Sequence, residues 1–188
     1  MIDISRPNFL NEFKDPAQKK PLPDGAGEFL IGWGDILNPI PVRVWRGSIP
    51  GESAWVAGGC SPVDGSIDIV TYGKKSNLLH HRGGLEGTLM HEFAHHLQLI
   101  GSDLGVGGWF WGHCHKEQGG LYEKWKGQLE AFYVGSKAWE MTAEVFRVLQ
   151  GFQSGEEWEK NEEFLEDFRE FLGGNSIFSV FMDNGEYY

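Results

Sequence analysis

GTLMHEFAHHLQLIG, residues Gly87 to Gly101, decides how this 188-residue chain is read. Inside it stands His-Glu-x-x-His, as His91, Glu92 and His95. On an α-helix, residues four apart share a face one turn along. His91 and His95 can therefore offer two imidazole nitrogens to one ion. Glu92 lies about 100° around the helix from His91, so it is no third same-face ligand, but it reaches a water held by that ion. Zinc suits the arrangement, because it takes neutral imidazole and lowers the pKa of its bound water toward neutrality. Glu92 is then the general base. A helix is predicted because Leu89, Met90, Phe93, Ala94, Leu97 and Ile100 recur at helical spacing without proline. Gly101 is expected to stop it as a left-handed C′ residue. His96 lies about 140° from His91 and should point elsewhere.

Two histidines need a third ligand. In H-E-x-x-H-x-x-G-x-x-H sequences a third histidine supplies it; here Gln98 replaces the glycine and Gly101 the histidine, which excludes that class. The alternative is a glutamate from a downstream helix. Ser136 to Leu149 predicts one, with Ser136 as N-cap. It places Glu140 and Glu144 on one face among Trp139, Ala143, Val145, Phe146 and Leu149. Carboxylates in so apolar a helix need a partner, since burying one unpaired is costly. A metal site provides it.

Glu140-x-x-Ala143-Glu144-x-Phe146-Arg147 resembles the second zinc helix of the anthrax toxin lethal factor catalytic domain family. The spacing from His95 is similar, and so is a tyrosine seven residues before the ligand glutamate, here Tyr133. The resemblance covers about Leu85 to Gln150. It implies a zincin-like metalloprotease domain in which Glu140 is the third zinc ligand. It further implies that Glu144 accepts a hydrogen bond from a zinc-bound histidine and that Tyr133 donates to the oxyanion of the tetrahedral intermediate. Each role has physical sense. The Pro-Pro endopeptidases and the Mlc titration factor family are more distantly similar.

Around this centre, the chain reads as one α+β domain. Residues 1–27, with Pro7, Pro16, Pro21 and Pro23, predict an extended arm, and 28–188 the catalytic domain. A small twisted sheet is expected over 28–72: Val42-Arg43-Val44-Trp45 and Ser66 to Val70 alternate, Ala54 to Ala57 is apolar, and Pro50-Gly51, Gly58-Gly59 and Asp64-Gly65 mark turns. Its free edge would bind an extended peptide by strand addition. His80 and His81 read as loop residues. Gly105 to Gly120 reads as a glycine-rich loop whose Trp109 and Trp111 are candidate substrate contacts; its His113-Cys114-His115 cluster lacks the spacing of a second metal site. Helices are expected over Leu121 to Phe132 and, opened by a Ser154-x-x-Glu157 capping box, to Leu172. The acidic face of the latter, Glu159 included, is read as solvated. Ile177 to Met182 is read as a strand or packed tail.

The net charge of −11 argues against nucleic acid and anionic membranes as partners. No segment reads as a signal peptide or a membrane span. Cys60 and Cys114 can pair, yet equally suit a reducing compartment. The expectation is a zinc metallopeptidase, acting as an endopeptidase on a polypeptide, in which Glu92 and Tyr133 serve zinc held by His91, His95 and Glu140. The alternative is a non-catalytic protein of the same fold that binds a partner protein.

Overall fold

Alternation in two stretches sets the sheet. In a computed structural model, described over residues 2–3, 26–33, 37–46, 48–52, 56–72, 84–103, 115–129, 138–175 and 177–182, Val42 and Val44 are buried while Arg43 between them reaches the opposite face. Ile67 and Ile69 repeat the pattern one strand away, with Asp68 on Arg43's side. There Arg43 donates from Nε and Nη2 to both Asp68 oxygens, at 2.8 and 2.7 Å. The sheet has five described strands: β1 (Ile2–Asp3), β2 (Ala26–Trp33), β3 (Leu37–Arg46), β4 (Gly58–Cys60) and β5 (Ile67–Tyr72). Their order is β1-β2-β3-β5-β4, and the sheet is mixed: β1 with β2 and β3 with β5 run parallel, the other pairs antiparallel. Pro39 and Pro41 are tolerated in β3 because pairing with β5 begins only at Val42.

Five α-helices follow among the described residues: α1 (Gly84–Asp103), α2 (His115–Leu129), α3 (Ala138–Leu149), α4 (Glu162–Gly173) and the short α5 (Ser179–Met182). Leu89, Met90, Phe93, Ala94 and Leu97 of α1 close over Val42, Val44, Ile67 and Ile69, joined by Phe146, Phe178 and Phe181. A second cluster, Met141, Val145, Val148, Trp158, Phe164, Leu165 and Phe168, lies between α3 and α4. Helix α3 thus has core on both sides, and every residue from Met141 to Val148 is buried. Among the described residues, no helix is long and apolar enough to cross a membrane.

The α+β class and the sheet-then-helices order agree with the sequence reading; several boundaries do not. Strand β1 ties the N-terminal arm to the sheet, and β2 begins at Ala26, inside the arm's expected limit. Gly101 does not stop α1, which continues to Asp103. A helical glycine costs about 1 kcal/mol against alanine, less than the packing of this helix provides. His115 to Gly120 are the first turns of α2, not loop. Ser154 caps no helix: its hydroxyl and N–H are spent on Glu159. Instead Glu156 and Glu159 form the capping box of a 3-10 turn at Glu157–Lys160, and Asn161 caps α4 by accepting from the Phe164 N–H. Glu159 is accordingly buried rather than solvated. Ile177 to Met182 is a packed tail ending in α5, not a strand. Of the apolar run Ala54 to Ala57, Ala54 and Trp55 lie outside the described residues, and Val56 and Ala57 precede β4.

Candidate metal centre

Three donor atoms from two helices meet in a cleft. His91 Nε2 and His95 Nε2 are 3.1 Å apart. Glu140 Oε2 lies 3.2 Å from the first and 3.4 Å from the second. The group His91, His95 and Glu140 could hold a metal ion. The two imidazoles stand nearly perpendicular, at 85°, edge to face, with ring centroids 4.7 Å apart. His91 is fully inside, whereas Glu140, in the first turn of α3, keeps about a third of its side chain accessible at 32%. Burial alone would push the Glu140 carboxyl up, but hydrogen bonds from His91 and His95 outweigh it and hold the group well below the usual carboxylate range.

Each histidine is gripped from behind. His91 Nδ1 lies 2.8 Å from Glu144 Oε1, with the carboxylate off the direction of the ring N–H bond. Glu144 is held in turn by Arg147, whose Nε donates to its other oxygen at 2.7 Å. Arg147 also donates to the Phe152 carbonyl at 2.6 Å and to Glu159 at 3.1 Å, all within the core. His95 Nδ1 lies 3.0 Å from Gln98 Oε1. The sequence reading used Gln98 only to exclude a ligand class; its i+3 spacing from His95 was the signal that it can reach that ring.

Glu92 is not one of the three donors, as its position on the helix leads one to expect. It is 4% exposed and lines the cleft, packed against β4. A Cβ on Gly58 would come within 2.8 Å of Glu92 Oε1 and 2.9 Å of its Cγ. His96 turns to the far side, as expected: its Nδ1 meets the Gly65 carbonyl at 2.6 Å, and burial, only partly offset by that bond, holds its pKa below the ordinary histidine value. Gly65, at φ 69°, leaves room for the ring that a side chain would fill.

The cleft encloses about 630 Å³, within the usual range for a ligand site. It is lined by His91, Glu92 and His95 of α1, by Trp139 and Glu140 of α3, and by β4 with Val56 and Ala57. Among the described strands, β4 is a sheet edge. Val70 N–H bonds to Ala57 O and Ser61 N–H to Ser66 O. By antiparallel alternation, Ala57, Gly59 and Ser61 then face β5, while Gly58 and Cys60 turn their N–H and C=O outward. The Cys60 thiol also lines the cleft. Burial, with the charges of Glu92 and Asp64, pushes it up to about 12.

Of the residues expected at the site, His91, His95, Glu140, Glu92 and Glu144 are brought together. Tyr133, Trp109 and Trp111 lie outside the described residues, as do His80, His81, His113, Cys114 and the Ser136 cap. No family model, no curated protein and no solved structure matches this chain.

Proposed function

We propose that the chain is a zinc-dependent peptidase of zincin-like fold, similar in its site to the lethal factor catalytic domain family. The observation that carries the reading is the triangle of donor atoms. Zinc bonds of about 2.0–2.2 Å in a tetrahedron require ligand atoms about 3.3–3.5 Å apart. The three sides here are 3.1, 3.2 and 3.4 Å. Two imidazoles and one carboxylate, with the fourth position open to the cleft, is the donor set of catalytic rather than structural zinc. When bound there, the ion supplies a Lewis acid that polarises a carbonyl and acidifies water.

The chain's own residues supply the rest. Glu92, apart from the ligands but in the same cleft, takes the proton of the attacking water and returns it to the leaving amine. Gly58 and Cys60 on the open edge offer main-chain donors and acceptors to an extended peptide, which binds as an added strand. The Tyr133 hydroxyl, in this reading, donates to the developing oxyanion. Glu144 fixes the ring of His91.

Two outcomes follow in these residues. Glu140→Ala should lose stoichiometric zinc, because two imidazoles alone leave the site open. Metal analysis of purified parent and variant checks this; one zinc per chain in both would remove Glu140 from the ligand set, and none in the parent after incubation with the metal would end the peptidase reading. Gly58→Ala should keep its zinc but turn over peptides roughly 100-fold more slowly, the scale of a misplacement of about 1 Å. The added methyl must displace the Glu92 carboxylate. Parental turnover in that variant would show that Glu92 does not need this position.

A further inference from the structure

We propose that Gln98 is a positioning residue, which fixes the tautomer of His95 and ties that ligand to the helix carrying Glu140. This rests on the metal site proposed above. Gln98 is 2% exposed, and both ends of its amide are engaged. Its Nε2 donates to the main-chain carbonyl of Trp139 at 3.1 Å. Its Oε1 faces His95 Nδ1 at 3.0 Å.

The partners dictate the orientation. A carbonyl oxygen can only accept, so the NH₂ end of the amide must face Trp139. The oxygen end is then left for His95, and an amide oxygen also only accepts. His95 Nδ1 must therefore carry a proton, and the neutral ring, which then no longer donates to Glu140, has its lone pair on Nε2, the atom 3.1 Å from His91 Nε2 and 3.4 Å from Glu140 Oε2. The bond made by one ring nitrogen decides what the other presents. Glu144 stands 2.8 Å from His91 Nδ1 on a different helix, and brings charge to that ring. Gln98 does it without adding a fourth carboxylate to Glu92, Glu140 and Glu144. Since Trp139 directly precedes Glu140, one amide also sets α3 against α1 at the point where their ligands meet.

The test uses Gln98→Met, which keeps the volume and loses both bonds. In metal-free protein at mildly alkaline pH, nitrogen NMR of the histidine rings should show His95 as the Nδ1–H tautomer in the parent and released from it in the variant. Zinc affinity, measured by chelator competition, should fall about 10- to 100-fold. Gln98→Glu keeps an acceptor for His95 but sets a carboxylate against the Trp139 carbonyl. It should retain the Nδ1–H tautomer and still bind zinc more weakly than the parent. Parental tautomer and affinity in Gln98→Met overturn the proposal. If Gln98→Met does not fold, parental affinity or a switched tautomer in Gln98→Glu overturns it. A parent that takes up no zinc would end the peptidase reading, while the ring assignments would still decide what Gln98 does.

Discussion

Glu92→Gln should bind zinc as the parent does and hydrolyse peptides at least about 100-fold more slowly, the lower range for loss of a general base. The substitution preserves shape, so the packing against Gly58 stays. It removes only the lone pair that accepts a proton. None of the three donors belongs to Glu92, which is why metal content and turnover should separate. Zinc analysis and a peptide cleavage assay on the same preparation read both quantities. Full activity in Glu92→Gln would sink the proposed mechanism, and lost zinc would mean that Glu92 supports the ligands directly.

The second large effect concerns stability. Arg147→Met should destabilise the fold by about 3–5 kcal/mol, the usual cost of removing one partner from a buried ionic network. Arg147 is 1% exposed and is the cation that bridges Glu144 and Glu159. Without it Glu159 keeps the N–H groups of Ser154, Gly155 and Glu156, but Glu144 keeps a negative charge in the core with its strongest donor gone. The Phe152 carbonyl loses its donor as well. Methionine retains contact with Trp158, over whose ring the guanidinium sits at 5.8 Å, so packing loss is limited and the change isolates the charge. Urea unfolding of the metal-free protein measures it; a shift under about 1 kcal/mol would mean that Arg147 is dispensable to the fold.

The ligands were legible because their spacing is local. His91, Glu92 and His95 are fixed relative to one another by the helix pitch alone, and the same pitch correctly sent His96 away. Glu140 and Glu144 were legible as a pair because two carboxylates in an apolar helix require an explanation. Which of them meets the metal is set by how α3 docks on α1, and the sequence reading took that from the resemblance. Gln98 escaped notice although its spacing from His95 is local, because its second partner is a main-chain carbonyl, which no side-chain pattern signals. Glu159 was misassigned for a related reason: an acidic run looks solvated, and only tertiary structure shows that one member folds inward to gather N–H groups and an arginine. Gly101 misled because a helix terminus was inferred from one residue's preference, which packing overrides. The edge position of β4 depends on strand order, which alternation within a strand does not encode.

Helix α3 has hydrophobic core on both sides, and it carries Glu140 at its first turn. The candidate metal site is therefore attached to an element that cannot readily move alone. Freeing the third ligand by sliding α3 would open both clusters together, an event on the scale of global unfolding rather than a local fluctuation. Occupancy and foldedness then become one linked equilibrium. Any ion bound to the folded form alone protects the entire domain by mass action, by about 2.7 kcal/mol at a hundredfold excess over Kd, and a chelator withdraws that protection from the sheet as fully as from the cleft.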